Sequence, residues 1–450
     1  MRRREFMQGT AAMCAAAVAT RADGQQASLK AEVTLPRDRV PLSFIIDDST
    51  CLVNMGHFCM PQFAQAWPDR DEYKQPWEQW PREIPDSFVR EFGEWSRDHG
   101  VKGKYSIVPY PACVGWLDRE LPGWSRKALA ESLDLVRTLM LPNWDIHPEM
   151  ITHTRVIDLK TGRPIEPATP ASMENSFPQE SIGTDQLTAY LAYALRVLKN
   201  CDLPCEGITT PGGFGNKMKP ELGRAVLDAV QDVYGCELPH YFKYVMSGDE
   251  PTFPKLEHLT GQGTDSPRLV VNVPAGTGDW FGGWEGTAKS EGFRYSNEDA
   301  TSGRMVELIE KRQPAVMLCH WPGLYCNGEL TGFRDFQRVV TALEGRYKDV
   351  TLWMKVSEIG RYWAAKELTK VACADASIEL DAPFACDNFT LKLSGTAPSQ
   401  WILRHNDTTT PLAVAAETKL LEMGRLVHNP DSSLICFRLP KGKSTLIKVA

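Results

Sequence analysis

The sequence has no surplus of positive charge. Its 450 residues contain 50 Lys and Arg against 57 Asp and Glu, a net charge of −7 at pH 7. This acidic balance argues against nucleic acid or anionic lipid as a partner. No apolar run reaches the length that crosses a bilayer, so we expect no stable membrane anchor. With 42% hydrophobic and 24% charged residues, the chain has an ordinary globular composition and length for two or three domains.

The amino terminus has the pattern of a twin-arginine export signal. Arginines at positions 2–4 precede a mild apolar run over residues 10–20, which includes the A-x-A site Ala17-Val18-Ala19. The residue before Cys14 is unsuited to lipidation, which favours cleavage. We therefore predict that residues 1–24 are a signal peptide and leader, and that the mature protein is periplasmic or secreted. Export of a folded protein also allows a metal to be loaded first.

Cysteine is scarce, with 12 residues in the chain. This number is too small for a disulfide scaffold. Cys201 and Cys205 could close a small loop in an oxidising compartment, but no second close pair completes a zinc ribbon. We expect most of the thiols to be buried and unpaired.

Apolar runs typical of strands alternate with amphipathic helical patterns between about residues 42 and 366. The strand patterns cover residues 43–46, 104–108, 206–209, 268–273, 314–319 and 350–354, and the helical patterns cover 85–99, 126–140, 184–199, 219–233, 305–311, 333–343 and 357–366. This order predicts an α/β fold with a parallel sheet, either a barrel or doubly wound. No repeat of solenoid type is visible.

From about Lys370 onward, short alternating runs replace this pattern. They lie at residues 376–380, 389–393, 401–404 and 434–439. Such runs predict a small β-sandwich domain over residues 369–450. The domain either covers one side of the first domain or binds glycan through Trp401.

Two aspartates follow the first predicted strand. Asp47 and Asp48 come directly after a buried run, and His320 follows another. Barrel enzymes carry their chemistry at such strand ends. Because side chains alternate along a strand, one aspartate could bind a metal while the other faces substrate. An Asp-Asp pair is also common as a helix cap, and other residues must decide between the two interpretations.

The segment from residue 143 to residue 154 contains two of the nine histidines. Glu149 and His153 are four residues apart and share one face if the segment is a helical turn, whereas His147 and His153 suit a loop. A carboxylate with an imidazole suits Zn, Mn, Co or Ni. The alternative is a packed histidine and a surface glutamate.

Two further turns carry residues of interest. Pro211 and Gly212 form a predicted tight turn after a strand, without a P-loop pattern, and Asp279 and Trp280 lie in a glycine-rich segment. Three tryptophans could line a sugar groove or simply pack a loop: Trp67, Trp77 and Trp80.

The order of these clusters resembles the polysaccharide deacetylase (NodB-homology) superfamily, in divergent form, over residues 42–366. The resemblance implies a distorted (β/α) barrel over residues 25–368, with Asp47 as the catalytic base and Asp48 as a metal ligand. The family's His-x-x-x-His motif falls on Glu149 to His153, so Glu149 replaces the first histidine unless His147 contributes.

The remaining motifs are present in part. The family's Arg-x-Pro falls on Thr209-Thr210-Pro211, so the arginine that orients the catalytic aspartate is missing, and Arg155 is a candidate substitute. Asp279-Trp280 matches the fourth motif, and His320 matches the fifth.

The resemblance implies metal-dependent hydrolysis of an N- or O-acetyl group on a carbohydrate. A divalent ion (Zn, Mn, Co or Ni) would be held by Asp48, His153 and either Glu149 or His147. His320 would protonate the leaving group, held in its tautomer by Asp279. The expected substrate-binding residues are Trp280, Pro211, Gly212 and Trp321.

Two other functions remain open from the residues. A glycoside hydrolase would use Asp47 with Glu149 or Asp279 as its carboxylate pair. A non-catalytic glycan-binding envelope protein would explain the missing arginine as a decayed site. The oligomeric state does not follow from the sequence.

Overall fold

The computed structural model describes residues 29–48, 51–264, 266–286, 289–395 and 397–449. The predicted leader at residues 1–24 lies outside the described residues. Within the described part, no helix is both long and apolar enough to cross a membrane.

The strands are β1 Lys30–Val33, β2 Val40–Asp47, β3 Gly103–Ile107, β4 Trp144–Pro148, β5 Ile157–Asp158, β6 Arg163–Pro164, β7 Gly207–Thr209, β8 His240–Phe242, β9 Lys255–Thr260, β10 Arg268–Asn272, β11 Ala315–His320, β12 Thr351–Trp353, β13 Lys370–Ala374, β14 Ser377–Ala382, β15 Cys386–Ser394, β16 Gln400–His405, β17 Thr408–Pro411, β18 Ala413–Val414, β19 Arg425–Asn429, β20 Ser432–Leu439 and β21 Gly442–Val449. The helices are α1 Met55–Ala66, α2 Asp86–Asp98, α3 Arg126–Leu135, α4 Thr184–Asn200, α5 Lys219–Tyr234, α6 Arg304–Glu310, α7 Trp321–Tyr325, α8 Thr331–Tyr347 and α9 Val356–Leu368.

Strand β2 is the centre of the first parallel sheet. All eight of its residues are buried, as expected for a strand covered on both faces. It pairs in parallel with β11 along one edge, and with β12 and β3 along successive parts of its length, while β4 extends the sheet beyond β3. Asp47 is opposite His320 in the β2–β11 register. The carboxyl ends of these strands therefore meet at one edge of the sheet.

A second sheet has the order β7-β8-β10-β9, in which only β9 is antiparallel. Isolated parallel bridges connect the two sheets, one between Glu149 and Thr209 and one between Asp279 and Leu318. The predicted mixed α/β fold with parallel strands is confirmed. The described ladders do not form one continuous closed barrel.

The sequence pattern located most helices of this region to within a few residues, but it missed α1. No helix was predicted between residues 51 and 85, whereas Met55–Ala66 is helical despite an internal Pro61. Asn54 caps this helix by accepting a hydrogen bond from Gly56 N at 3.2 Å. Helix α3 continues through one π-helical turn to Met140.

The carboxyl-terminal residues form two mainly antiparallel five-stranded sheets. One has the order β13-β14-β21-β16-β17, and the other has the order β1-β15-β20-β19-β18. Strand β1 pairs with β15 although it lies at the start of the described chain. The predicted first domain, residues 25–368, thus contributes its first strand to a sheet of the second region.

Candidate metal centre and active site

Three side chains converge where β2 and β4 end. His153 Nε2 lies 2.5 Å from Asp48 Oδ1 and 3.4 Å from Glu149 Oε1. One ligand atom of each residue lies within 4.8 Å of the other two, and all three residues are buried. Among the described residues, no other group of three or more His, Cys, Asp or Glu side chains has this property.

Unusual backbone conformations bring these side chains together. Asp48 follows the last residue of β2 with φ at 53°, and His153 has φ at 64°. Both values lie in the left-handed region, which non-glycine residues adopt only where the surrounding structure holds them. Glu149 is placed directly, because its Oε2 accepts a hydrogen bond from Asp48 N at 2.9 Å. Glu149 and His153 therefore meet across a loop after β4, and the helical turn considered from the sequence does not form.

The buried carboxylate of Glu174 holds this loop. It accepts hydrogen bonds from Ile151 N at 3.1 Å and His153 N at 2.6 Å, and another from the hydroxyl of Tyr190 at 2.5 Å. Burial raises the pKa of Glu174 to about 7, although these hydrogen bonds oppose the rise. Glu174 was not predicted from the sequence, because it lies 21 residues beyond His153, whose backbone it fixes.

Asp47 is held by a lysine. The ammonium of Lys104 donates to Asp47 Oδ1 and, at 2.7 Å, to Ser106 Oγ, which in turn donates to Asp47 Oδ1 at 3.0 Å. Lys104 is fully buried. Burial and the charge of Glu149 raise the pKa of Asp47, whereas Lys104 opposes the rise. Lys104 and Ser106 are two residues apart in a buried strand pattern, so they share one face of β3. This spacing is the feature of the sequence that could have predicted their joint contact with Asp47.

Arg155 lies elsewhere. Its guanidinium donates to the carbonyl of Ile165 and forms an ion pair with Glu166 at 3.1 Å. The cation that contacts Asp47 is thus Lys104. Arg155 was predicted to orient Asp47, and Lys104 lies where that contact is made. The reason is topological, because β3 is the direct neighbour of β2 in the sheet.

His320 and Asp279 form the predicted pair. His320 Nδ1 lies 2.7 Å from Asp279 Oδ2, which leaves Nε2 free of this contact. Burial disfavours the imidazolium, but the charges of Asp48, Asp279 and Asp47 outweigh burial and raise the pKa of His320 to about 10. These charges therefore favour the imidazolium form of His320 at neutral pH.

His147 does not join the three-residue cluster. It is fully buried on β4, and its Nε2 lies 2.8 Å from His240 Nε2. Burial, followed by the charge of His240, holds the pKa of His147 well below its usual value. A Cβ at Gly207 would lie 2.5 Å from His147 Nε2, so the glycine makes room for this ring. Of the two candidates that the sequence left open, Glu149 lies at the cluster.

The cluster borders a cavity of about 420 Å³. Its lining includes the acidic residues Asp47, Asp48, Glu72, Glu149 and Glu285, the basic residues His153, Lys243 and His320, and the aromatic residues Phe63, Tyr73, Phe242 and Trp284. Asp48, Glu149 and His153 thus share one cavity with Asp47 and His320.

The predicted substrate-binding residues are distributed differently. Gly212 lines the cavity, and Pro211 is the buried residue before it. Trp321 is buried in the core, where its ring packs 5.0 Å from Phe92. The indole of Trp280 is covered by Arg294, with the guanidinium carbon 4.3 Å from the ring centroid. Other aromatic residues line the cavity instead, Trp284 among them, and none of these was predicted from the sequence.

The tryptophans of the loop region also pack within the protein. Trp80 is buried, Trp77 contacts the ring of His57 and Trp67 contacts Phe63. The two cysteines expected as a possible disulfide, Cys201 and Cys205, are free and buried.

The donor set fits a divalent cation. Asp48 Oδ1 is buried and has no hydrogen-bond donor among the described residues, although His153 Nε2 is close to it. Two carboxylates and one imidazole suit Zn, Mn, Co or Ni, and a buried cation would balance their charge. Burial disfavours protonation of His153, but Asp48 and Glu149 hold its pKa well above the usual value. A cation would therefore compete with a proton at this imidazole.

No protein-family model matches the chain, and no curated protein matches it. Among solved structures, the chain is similar to a candidate polysaccharide deacetylase from Mycobacterium smegmatis, at 11% identity and a TM-score of 0.41, covering 77% of this chain and 97% of that one. It is also similar to a candidate glycoside hydrolase/deacetylase from Parabacteroides distasonis, at 11% identity and a TM-score of 0.39, covering 89% and 88%. An α-L-fucosidase is similar at 12% identity and a TM-score of 0.33, covering 93% and 98%. At these identities and TM-scores, the similarities do not assign an activity.

Proposed function

We propose that the protein is a divergent polysaccharide deacetylase, a metal-dependent hydrolase that removes an N- or O-acetyl group from a carbohydrate. The observation that carries this proposal is the convergence of Asp48, Glu149 and His153 in the cavity that also contains Asp47 and His320. The two sheets, which the Glu149–Thr209 and Asp279–Leu318 bridges connect, would correspond to the distorted (β/α) barrel of that family. The twin-arginine leader would export the enzyme to the periplasm or beyond.

Asp48, Glu149 and His153 would hold a divalent metal ion. When bound, such an ion supplies Lewis-acid polarisation of a carbonyl and lowers the pKa of water. Glu149 is kept in place by its hydrogen bond from Asp48 N, and His153 by the contact of Glu174 with its backbone. The ligand set contains two carboxylates, which favours ions that accept oxygen ligands readily.

Asp47 would be the general base. In its ionised form, it can take a proton from the attacking water. Lys104 favours the ionised form by its positive charge, against the effect of burial. The hydrogen bonds from Lys104 and Ser106 both reach Oδ1, so that Oδ2 remains for the water.

His320 would be the general acid. It would donate the Nε2 proton to the leaving nitrogen or oxygen of the sugar while Nδ1 stays bound to Asp279. The negative charge of Asp279 compensates the imidazolium before transfer. It also fixes the ring so that Nε2 is the atom available to substrate.

The direct test is release of acetate. The purified protein is stripped by exhaustive chelation, reloaded separately with Zn, Mn, Co or Ni, and assayed for acetate from acetylated chitooligosaccharides and acetylated xylan. We expect activity only in reloaded samples, and none in an Asp48→Ala variant, with Asp249→Asn as a surface control. Full activity after chelation would overturn the proposal. Turnover of chromogenic glycosides without metal would favour a glycoside hydrolase instead.

A further inference from the structure

One wall of the active-site cavity is polar and continuous. Thr210, Gly212 and Lys243 line the cavity on this side together with Asn175. Lys243 Nζ donates to the carbonyl of Gly212 at 2.7 Å, and Thr210 N donates to the carbonyl of Phe242 at 3.3 Å. The carbonyl of Asn175 accepts from Gly213 N at 2.6 Å. These contacts connect the segments that carry the four lining residues, which therefore form one patch. None of the four residues is a proposed metal ligand.

The ammonium of Lys243 is buried without a counter-ion. The residue is 9% exposed, and no ion pair among the described residues involves it. The carbonyl of Gly212 occupies one of its three donor positions, which leaves two for a ligand. Burial, followed by the charge of Lys219, lowers the pKa of Lys243 to about 8, and no carboxylate contributes to that shift. The ammonium is therefore the main form at pH 7, and its charge is uncompensated.

Two further polar atoms in the patch have no partner. Thr210 Oγ1 and Asn175 Oδ1 are buried and have no hydrogen bond within the described residues. Thr210 as a residue is only 5% exposed. Buried polar atoms are normally satisfied, and unsatisfied ones in a cavity indicate a ligand that pairs with them. Each of these oxygens can accept a hydrogen bond from a hydroxyl or an amide N–H of a sugar.

The aromatic lining complements this polar patch. The rings of Phe63 and Tyr73 lie 5.7 Å and 6.0 Å from the ring of Trp284 in edge-to-face contact. All three line the cavity. Aromatic faces suit the apolar faces of sugar rings, while polar groups fix orientation. No carboxylate of the described residues forms an ion pair with Lys243, and Glu72, one of the cavity acids, pairs with Arg70 at 3.5 Å.

We propose that Lys243, Thr210 and Asn175 form a subsite for an anionic sugar unit, so that the substrate is an acetylated acidic glycan. This inference rests on the proposed deacetylase function and names its substrate class. The anionic group, a carboxylate or a sulfate ester, pairs with the two free donors of Lys243. Thr210 and Asn175 accept hydrogen bonds from hydroxyls of the same unit. A buried ammonium gains more from an anion than from a neutral hydroxyl, because the charge is then compensated.

The test compares acetylated oligogalacturonate, an acetylated sulfated oligosaccharide and acetylated xylo-oligosaccharide as substrates for the metal-loaded enzyme. We expect kcat/KM for at least one acidic substrate to exceed that for the neutral one at least tenfold. Lys243→Met should abolish this preference, so that kcat/KM falls at least tenfold more on the acidic substrate than on the neutral one, and Lys243→Arg should retain part of the preference. The exposed Lys217→Met should change nothing. The carboxylate and sulfate arms identify the anion.

Binding separates this inference from the deacetylase proposal. The same oligosaccharides without acetyl groups are titrated calorimetrically into wild-type, Lys243→Met and Lys217→Met proteins. Tighter binding of an acidic oligosaccharide that is lost only in Lys243→Met supports the subsite, even if no acetate is released from any substrate. Equal binding or turnover of acidic and neutral glycans by the wild type overturns it. Equal losses for both classes in Lys243→Met also overturn it.

Discussion

Lys104 and Asp47 form a buried ion pair across adjacent strands, with the fully buried ammonium donating to Asp47 Oδ1 and Ser106 Oγ. The pair connects the base of the proposed mechanism to β3. The cation comes from the neighbouring strand, so Asp47 is paired within the sheet itself.

Breaking this pair should reduce both stability and activity. Lys104→Met leaves a buried carboxylate without its cation, which typically lowers the free energy of unfolding by about 3–5 kcal/mol. The double variant Lys104→Met with Asp47→Leu should recover most of that loss but no activity. Urea denaturation of the variants measures the effect. Lys102→Met is the control, because its pair with Glu358 is partly exposed and should contribute less than about 1 kcal/mol. Equal stability of the two lysine variants would contradict the prediction.

The cluster residues should determine metal affinity in a graded way. Asp48→Ala and His153→Ala should purify without metal, whereas Glu174→Gln should bind with affinity lowered by about 10–100-fold, since it positions the ligand loop without contacting the ion. Elemental analysis and calorimetric titration measure this. Added metal should raise the Tm of the wild type and of Asp249→Asn, raise that of Glu174→Gln less at the same metal concentration, and leave the Tm of Asp48→Ala and His153→Ala unchanged. A metal-induced rise in Asp48→Ala would show that the ion binds elsewhere.

The role of His320 should depend on the leaving group. His320→Ala should lose about 10²–10⁴-fold in kcat on acetylated sugars, whose leaving groups need a proton. On p-nitrophenyl acetate the loss should be much smaller, because the phenolate leaves without protonation. Asp279→Asn should fall between His320→Ala and the wild type. His405→Ala, at a partly exposed histidine of the carboxyl-terminal region, is the control. Equal losses on both substrates would exclude the acid role.

Asp145 should make stability depend on pH. Burial raises its pKa from 3.8 to about 6, although Ser357 donates two hydrogen bonds to it. Because the pKa of Asp145 is raised in the folded state, its protonation stabilises the folded protein. This stabilisation is fully present below about pH 4 and is lost as the pH rises through about 6. Relative to Asp145→Asn, the wild type should therefore lose about 3 kcal/mol of unfolding free energy between pH 4 and pH 7. Urea titrations across this range measure the difference. Exposed Asp69→Asn should follow the wild type, and parallel curves for all three proteins would refute the prediction.

Gly207 should tolerate no side chain. A Cβ there would lie 2.5 Å from His147 Nε2 and 2.7 Å from the carbonyl of His240. Gly207→Ala should therefore cost about 1–3 kcal/mol of unfolding free energy through overpacking. Gly345→Ala is the matched control: it lies in α8 with no atom within 4 Å of the added Cβ, and should stabilise by about 0.5–1 kcal/mol. Thermal unfolding gives the Tm of both variants. Similar Tm shifts would contradict the prediction, because they would mean that His147 moves aside for the added Cβ.

Local pattern was sufficient for the alternation of strands and helices. Buried runs such as Val316 to His320 and amphipathic runs such as α4 and α5 carry periodicities that depend only on neighbouring residues. The same reasoning placed Asp47 and His320 at strand ends, and parallel pairing then set them opposite each other. Strand β8, with three residues, escaped prediction.

The sequence by itself determined the mixed α/β order of the first region and the alternating strands of the second, and it singled out Asp48 and His153 as candidate metal ligands. The tertiary structure decided which side chains meet. Glu149 lies at the cluster while His147 faces His240, Lys104 reaches Asp47 while Arg155 does not, and Trp284 lines the cavity while Trp321 is buried. The physical reason is that periodicity is a local property, whereas these contacts depend on left-handed backbone turns and on which strands become neighbours.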